Sequence, residues 1–275
     1  MKLTVLVDNT TIIDRYFLAE PAFSVLIEAD GQRVLFDCGY SDIFLRNAEK
    51  MGEDLLHLDH LVFSHGHADH TWGVEPLMRA FSVAVMEGRP HHRPQVTAHP
   101  DVFVTRTFPG MGEIGSLVSA AKLGEHFPMG LTREPVQLTE RLWFLGEIPR
   151  ENDFEGKSPL GVMNGAPDML LDDTALAWKG DDGLVVITGC SHAGICNIVE
   201  QARRVCGEER VTDIVGGLHL LSPSPRQLQG SLAYIKALNL SALHACHCTD
   251  FPSRKALAEV APQQEVGVGL VLRYD

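Results

Sequence analysis

One short segment constrains this chain more than any other: residues 65–70 read His-Gly-His-Ala-Asp-His and follow directly on an apolar stretch. Neutral imidazole nitrogen and carboxylate oxygen are donors that suit zinc, and manganese and iron accept them as well. Alternate residues of an extended segment point the same way, so His65 and His67 face one metal while Asp69 and His70 turn toward a second. The segment therefore predicts parts of two metal half-sites at the end of a strand.

Further histidines follow other predicted strands. Hydrophobic periodicity in the N-terminal half predicts a helix over residues 43–51 and strands over residues 3–7, 23–28, 33–36 and 60–64. In the C-terminal half it predicts helices over residues 195–205 and 227–238 and strands over residues 184–188, 212–215 and 242–245. His192, His219 and His247 each lie in a Gly- or Cys-flanked loop after one of these strands. Because loops at strand ends can converge without breaking a core, both halves are expected to supply one site.

Residues 89–173 have a different character, because prolines and glycines interrupt any regular period. Long irregular segments in compact domains usually form lids or binding loops. The chain has 275 residues, which suits one large α/β unit with a sizeable core. We therefore expect a single domain over residues 1–275, with a loop-rich insertion over residues 89–173 that covers the site.

Composition argues against several kinds of partner. The formal net charge of −13 disfavours binding to a phosphate backbone, so nucleic acid is not an expected partner. No apolar run approaches the roughly 20 residues of a membrane helix, and the N-terminus has the pattern of a strand, so we expect a cytoplasmic protein without membrane association. The six cysteines are too scattered for a disulfide scaffold and are expected to be reduced. The expected partner is a small-molecule substrate, with anionic substrates among the candidates, and homo-oligomerisation stays open.

The pattern His-x-His-x-Asp-His after a strand, with later histidines at strand ends, resembles the metallo-β-lactamase superfamily over essentially the whole chain. The resemblance implies a fold of the α/β (α+β) class, the four-layer αββα sandwich. Shorter motifs resemble the branch named for 7,8-dihydropterin-6-methyl-4-(β-D-ribofuranosyl)aminobenzene 5′-phosphate synthase. These motifs occupy residues 7–10, 35–39, 98–100, 189–194, 216–220 and 247–249.

The same resemblance implies a set of ligands for two divalent metal ions, with zinc the first choice and manganese or iron as alternatives. One ion is expected among His65, His67 and His192, and the other among Asp69, His70 and His247.

Two positions depart from the family pattern. Many superfamily members have an aspartate that bridges both metals where this chain has Gly189 and Cys190. Cys190 is therefore either a thiolate ligand or a buried residue that shapes the turn. The other departure is Asp250, where this branch is expected to have glycine, and we expect it to alter the local turn or the loop charge.

Several polar residues are candidates for other roles in the site. Asp37, at the end of a strand, is expected to hold a ligating imidazole by a hydrogen bond. Asp69 and His219 are the candidate catalytic residues, and His219 would protonate the leaving group. His99 and Arg106 are candidates either for contact with the substrate, Arg106 with an anionic one, or for supporting the metal ligands from behind. The competing interpretations are structural hydrogen bonds for His219 and His99 and ordinary solvation for Arg106.

These features favour a metal-dependent hydrolase, in which a hydroxide activated by two metals attacks a phosphoester or acyl substrate. Three alternatives stay open. The branch resemblance allows a transferase of the dihydropterin-aminobenzene-ribosyl-phosphate synthase type that displaces diphosphate. An iron-dependent redox enzyme of this fold would typically have glutamate in place of His67. A non-catalytic, metal-stabilised binding module would need closed coordination shells.

Overall fold

A computed structural model describes residues 1–275, and its strands form three sheets. The N-terminal part contains β1 (Lys2–Val7), β2 (Ser24–Ala29), β3 (Gln32–Phe36), α1 (Ile43–Met51), β4 (His60–Val62), α2 (Ala68–Thr71), α3 (Val74–Met86) and β5 (Gln95–Ala98). The middle part contains a 3-10 turn (Pro100–Phe103), β6 (Arg106–Phe108), β7 (Gly112–Glu113), α4 (Ala120–Gly124), β8 (Met129–Leu131), β9 (Val136–Gln137), β10 (Leu142–Phe144), β11 (Val162–Met163) and β12 (Ala166–Pro167). The C-terminal part contains β13 (Ala175–Lys179), β14 (Leu184–Thr188), α5 (Ile195–Cys206), β15 (Val211–Gly217), α6 (Pro225–Leu238), β16 (His244–Cys246), α7 (Phe251–Ala258) and β17 (Val271–Arg273).

Two of the sheets pack against each other. The first has the order β17-β1-β2-β3-β4-β5-β8 and the second the order β16-β15-β14-β13-β10-β9. Their facing sides share one buried hydrophobic cluster, to which Phe36 and Val62 contribute from the first sheet and Phe144 and Ile187 from the second. Helices α1 and α3 cover the outer face of the first sheet, and α5, α6 and α7 cover that of the second. The predicted four-layer αββα sandwich is confirmed.

The apolar sequence of the central strands follows from this layering. Successive side chains of a strand point to opposite faces, so Val25 and Ile27 of β2 enter the core between the sheets while Leu26 packs beneath the helices. A strand covered on both faces therefore reads as a continuous apolar run. The predicted helix over residues 43–51 and the strand over residues 184–188 have the observed bounds, and the other predicted elements differ by at most two residues at either end.

Residues 89–173 divide between the main sheets and a smaller sheet, so they do not form one insertion. Strands β5 and β8 complete one edge of the first sheet, and β9 and β10 complete one edge of the second. Only β6, β7, β11 and β12 form the separate four-stranded sheet. Strands of two to four residues are too short to show a period of two, which is why the sequence pattern missed them. No helix in the structure combines the length and apolar character that a membrane span requires.

A buried ion-pair network joins the four-stranded sheet to the loop that carries residues 65–70. Arg106 of β6 is fully buried, and its guanidinium lies 2.8 Å from Asp168 and 2.7 Å from Asp172. Asp172 in turn accepts the backbone N–H of Gly66 at 2.8 Å. A Cβ atom at Gly66 would lie 1.8 Å from the guanidinium, so this position needs glycine. The prediction that Arg106 contacts substrate is therefore wrong: its charge is neutralised inside the protein.

We expect Arg106→Leu to lower the free energy of unfolding by about 3–5 kcal/mol, because it leaves two buried carboxylates without their partner. Urea unfolding followed by circular dichroism measures the change. Arg141→Leu is the matched control, since Arg141 pairs with the exposed Asp181 and its loss should cost no more than about 1 kcal/mol. Equal stability of Arg106→Leu and the unmutated protein would contradict the structural role of Arg106.

Candidate metal centre

Loops after β4, β14, β15 and β16 converge on one cluster of histidines. The loop after β4 brings His65 to within 4.8 Å of His192, which follows β14, measured between ring centroids. His70 lies 5.1 Å from His247, which follows β16, and His192 lies 4.2 Å from His219, which follows β15. Both halves of the chain therefore contribute to one site, as the position of histidines after strands predicts.

Sharp turns at the strand ends aim these side chains inward. Asp37, Ser191, His219 and His247 have φ angles of 59°, 64°, 49° and 49°, in the left-handed region that non-glycine residues seldom adopt. Such backbone conformations cost free energy and persist where the surrounding structure fixes them, which is common at functional sites. Four residues with such φ angles at neighbouring strand ends indicate that this edge of the sandwich is shaped for a functional site.

One group of potential metal ligands contains Asp69, His70, Cys190 and His247. Their donor atoms all lie within 4.8 Å of one another. The Asp69 carboxylate is 3.5 Å from His70 Nε2 and 3.4 Å from His247 Nε2. Carboxylate, imidazole and thiolate donors at this spacing fit a zinc-type ion.

A second group contains His65, His192 and, again, Cys190. His67 lies beside it, with its Nδ1 atom 3.1 Å from Nε2 of His65. The Nε2 atoms of His67 and His192 are buried without a hydrogen-bond partner. Unpartnered buried nitrogens are uncommon because they lose their hydration without compensation, and a bound cation is one explanation for them. The residues present therefore fit a metal in this half of the site too.

Polar side chains behind the histidines fix the orientation of the rings. The Asp37 carboxylate lies 2.7 Å from Nδ1 of His70 and accepts the Ser64 hydroxyl at 2.7 Å, and that hydroxyl oxygen is 2.9 Å from Nδ1 of His65. On the other side, Asn9 Oδ1 lies 3.1 Å from Nδ1 of His247. With Nδ1 engaged by these oxygens, Nε2 is the nitrogen of each ring that remains for a metal at the centre. The hydrogen bond expected of Asp37 is present.

The protonation states of several side chains favour the binding of cations in this site. Burial and neighbouring histidines lower the pKa of His65 and His192 well below the usual value, and burial lowers the pKa of His67 to about 4. These rings are therefore neutral at pH 7, the form that binds metal. Burial alone would raise the pKa of Asp69, but His70 and His247 outweigh it and hold that pKa well below its usual range. The site thus contains a permanent carboxylate charge.

A cavity of about 670 Å³ opens above these groups. Its floor is polar and includes Asp69, His192 and His219. Its walls are largely apolar and contain no lysine or arginine. They are formed by Glu20, Pro21, Tyr40, Ala68, Phe108, Met111, Ile114, Leu160 and Leu221. Tyr40 is stacked on Trp72 with ring centroids 4.8 Å apart. The arrangement places a hydrophobic substrate-sized space directly over the candidate metal ligands.

Not every sequence candidate reaches this cavity. His99 is fully buried outside it, where its Nδ1 accepts the backbone N–H of Asp101 and its Nε2 lies 3.3 Å from Glu147. His99 caps a 3-10 turn, so the prediction that it contacts substrate is wrong. Asp250 also has a local explanation, because its carboxylate accepts the backbone N–H groups of Ser253 and Ser222 and caps α7. His219, in contrast, lines the cavity.

Three residues that support the site were missed or left unassigned by sequence reasoning. Cys248 Sγ lies 3.3 Å from the backbone N of His219 and 3.3 Å from the carbonyl oxygen of Cys190, so it connects two of the converging loops. Ser64 bridges Asp37 and His65, as described above. Asp173 accepts the backbone N–H of Ala193 and so holds the loop of His192, and burial raises its pKa to about 7. In the sequence, the two adjacent aspartates at residues 172–173 were the only feature that could have pointed to this role of Asp173.

Comparison with known proteins identifies the family. The model of the metallo-β-lactamase superfamily matches residues 19–191, which is more than half of the chain. The chain belongs to the metallo-β-lactamase superfamily. The resemblance inferred from the histidine motif is thereby confirmed.

Several known proteins are similar to this chain over nearly their whole length. An uncharacterized protein of Methanocaldococcus jannaschii is 30% identical over 261 residues, which cover 94% of each chain. The 7,8-dihydropterin-6-methyl-4-(β-D-ribofuranosyl)-aminobenzene-5′-phosphate synthase of the same organism is 27% identical over 278 aligned positions, which cover 94% of this chain and 91% of the synthase. A crystal structure of a metal-dependent hydrolase of the β-lactamase superfamily superposes with a TM-score of 0.82 at 28% identity and covers all of both chains.

We expect Asp37→Asn to weaken metal binding by about 10- to 100-fold, because the amide does not hold the His70 ring as a carboxylate does. Competition with a chromophoric chelator measures the affinity. Asp181→Asn, which changes an exposed carboxylate that pairs with Arg141, is the control and should bind metal like the unmutated protein. Identical affinities for the two variants would show that Asp37 does not support the site.

Proposed function

We propose that this superfamily member is a hydrolase that binds two divalent ions, with zinc as the preferred metal. The observation that carries the proposal is the pair of adjoining ligand groups at the floor of an open cavity. His65, His67 and His192 would hold one ion, and Asp69, His70 and His247 the other. When bound, two such ions lower the pKa of a water molecule and polarise a carbonyl or phosphoryl group. The open cavity argues against a purely structural metal, which has a closed shell.

Two residues of the cavity floor suit the remaining steps. The Asp69 carboxylate is partly exposed to the cavity and ionised, so it can accept a hydrogen bond from a water molecule and orient it. His219 lines the same floor, and its Nδ1 atom is buried without a hydrogen-bond partner. A proton held at that atom is available to the leaving group of a substrate in the cavity.

The wall chemistry indicates the kind of substrate. With no lysine or arginine around the cavity, a polyanionic substrate would have no cationic side chain to neutralise it. Apolar walls instead favour a substrate with a hydrophobic or aromatic body and one hydrolysable group that reaches the floor. We therefore propose acyl esters, thioesters or simple phosphoesters of apolar groups as the substrate class.

The second candidate is a transferase like the synthase of M. jannaschii. Its support is the 27% identity over 94% of this chain. In both proposals the two metal ions would bind an anionic group, but the walls offer no further cation for the remaining charge of a diphosphate, which makes hydrolysis of a less charged substrate the preferred proposal. His67, in a position where iron-dependent redox members typically have glutamate, argues against the redox alternative.

Elemental analysis combined with an activity screen tests the hydrolase proposal. We expect about two metal ions per chain and turnover of at least one aryl ester, thioester, phosphomonoester or phosphodiester. We expect His65→Ala and Asp69→Ala to lose metal and to lower kcat by more than about 100-fold while the fold survives, because the charge that stabilises the transition state is lost. His57→Ala, which changes an exposed histidine that belongs to neither ligand group, is the control. Full metal occupancy and activity in both site variants would overturn the assignment.

A substitution in the cavity wall tests the substrate class. Leu221 lines the cavity and is 58% exposed, so Leu221→Lys adds a cation without disturbing the core. For a matched pair of aryl esters, one neutral and one bearing a carboxylate, we expect the variant to lower KM for the anionic ester about fivefold, as one favourable charge contact near the surface allows. Val85→Lys, at a 53% exposed position outside the cavity, should leave both KM values unchanged. Better use of the anionic ester by the unmutated protein would contradict the proposed class.

A further inference from the structure

We propose that the Cys190 thiolate is the ligand shared by both ions and that it makes the site select thiophilic metals such as zinc or cobalt(II) over manganese and magnesium. This inference rests on the proposed two-ion site. It assigns to sulphur the place where many members of the superfamily have a bridging aspartate.

The position of the sulphur atom carries the inference. Cys190 is the only residue that belongs to both ligand groups, so its Sγ lies within 4.8 Å of donor atoms in each half of the site. Sγ is 3.3 Å from Nε2 of His70 and 3.3 Å from Nε2 of His247. The side chain is also buried at the cavity floor, where it would be shielded from bulk water.

The contacts of the two imidazoles leave one nitrogen of each ring for a cation near this sulphur. Nδ1 of His70 lies 2.7 Å from Asp37 and Nδ1 of His247 lies 3.1 Å from Asn9, so Nε2 of each ring, 3.3 Å from Sγ, is the nitrogen that can bind a metal. A cation placed between a Cys190 thiolate and these nitrogens would be bound by all three atoms, and the thiol proton would leave to solvent as the metal binds.

The neighbouring thiol does not have the same geometry. Cys248 Sγ is engaged by the backbone N of His219 and the carbonyl oxygen of Cys190, each at 3.3 Å. It belongs to neither ligand group. Cys248 therefore positions loops, and it provides a matched control because it is a second buried cysteine lining the same cavity.

The backbone before Cys190 is adapted to bring the sulphur close to the other half of the site. A Cβ atom at Gly189 would lie 2.2 Å from the Ser64 hydroxyl and 3.0 Å from the Asp37 carboxylate. Glycine therefore lets the loop after β14 pack directly on the residues that orient His65 and His70. Soft sulphur ligands favour zinc over hard ions such as magnesium and manganese, which gives the predicted selectivity.

Cobalt(II) titration of the metal-free full chain is the first test. We expect two equivalents to bind to the unmutated protein with a sulphur-to-cobalt charge-transfer band in the near ultraviolet. Cys190→Ser should lose that band and bind at least one equivalent about tenfold or more weakly, whereas Cys248→Ser should keep the band. A band that survives in Cys190→Ser, or that disappears in Cys248→Ser alone, would overturn the assignment.

X-ray absorption of the zinc-loaded protein separates a bridge from a terminal ligand without relying on a Cys190 variant. In Cys248→Ser, a bridging thiolate gives each of two zinc ions one sulphur neighbour at about 2.3 Å, whereas a terminal thiolate gives an average of about one half sulphur neighbour per zinc ion. The lower value would refute the bridge. These measurements do not require turnover, so they test the bridge even if no hydrolase substrate is found. Binding of fewer than two ions would reject both the bridge and the proposed two-ion site.

Cys190→Asp tests the selectivity. We expect this variant to bind two ions without the charge-transfer band and to lower the ratio of zinc to manganese affinity at least tenfold, because an oxygen bridge removes the preference of sulphur for zinc. An unchanged affinity ratio would show that Cys190 does not determine which metal is bound.

Discussion

The buried carboxylate of Asp37 is the interaction on which the site depends. It accepts the backbone N–H and the hydroxyl of Ser64 and lies 2.7 Å from Nδ1 of His70. These contacts join the end of β3 to the loop after β4, and through Ser64 they extend to His65. Because a buried charge is tolerated only where it is fully paired and hydrogen-bonded, this group fixes the local geometry before any ligand binds. The two ligand groups are therefore oriented by the fold itself.

The division between a polar floor and apolar walls follows from the two kinds of sheet. The floor comes from the ends of strands in the two large sheets, whereas Phe108 belongs to the four-stranded sheet and Met111 to the turn beside it. Short strands at a sheet edge tolerate substitution better than the core, because fewer buried contacts depend on them. The candidate metal ligands and much of the cavity wall thus come from different sheets, which the buried network around Arg106 holds together.

Sequence reasoning succeeded where chemistry and local pattern coincide. The histidines after β4, β14, β15 and β16 were recognisable because each follows an apolar run that the periodicity defines. It failed for Arg106, whose partner Asp168 is 62 positions away along the chain. It failed likewise for His99, since whether a histidine caps a turn or faces a cavity depends on contacts that no local pattern records. The role of Cys190 stayed undecided from sequence because a sulphur atom and its surroundings become visible only when the two halves of the chain are brought together.

The wide separation of the ligands along the chain has a consequence for biosynthesis. Residues 65–70 leave the ribosome long before His192 and His247, so a nascent chain carries an exposed, incomplete chelating segment through most of its translation. That segment lacks the buried partners that orient its rings in the folded protein. Under the proposed two-ion site, tight and selective binding would therefore begin only when β16 joins the second sheet. The finished fold, rather than the first ion that the nascent chain meets, would then determine which metal is retained.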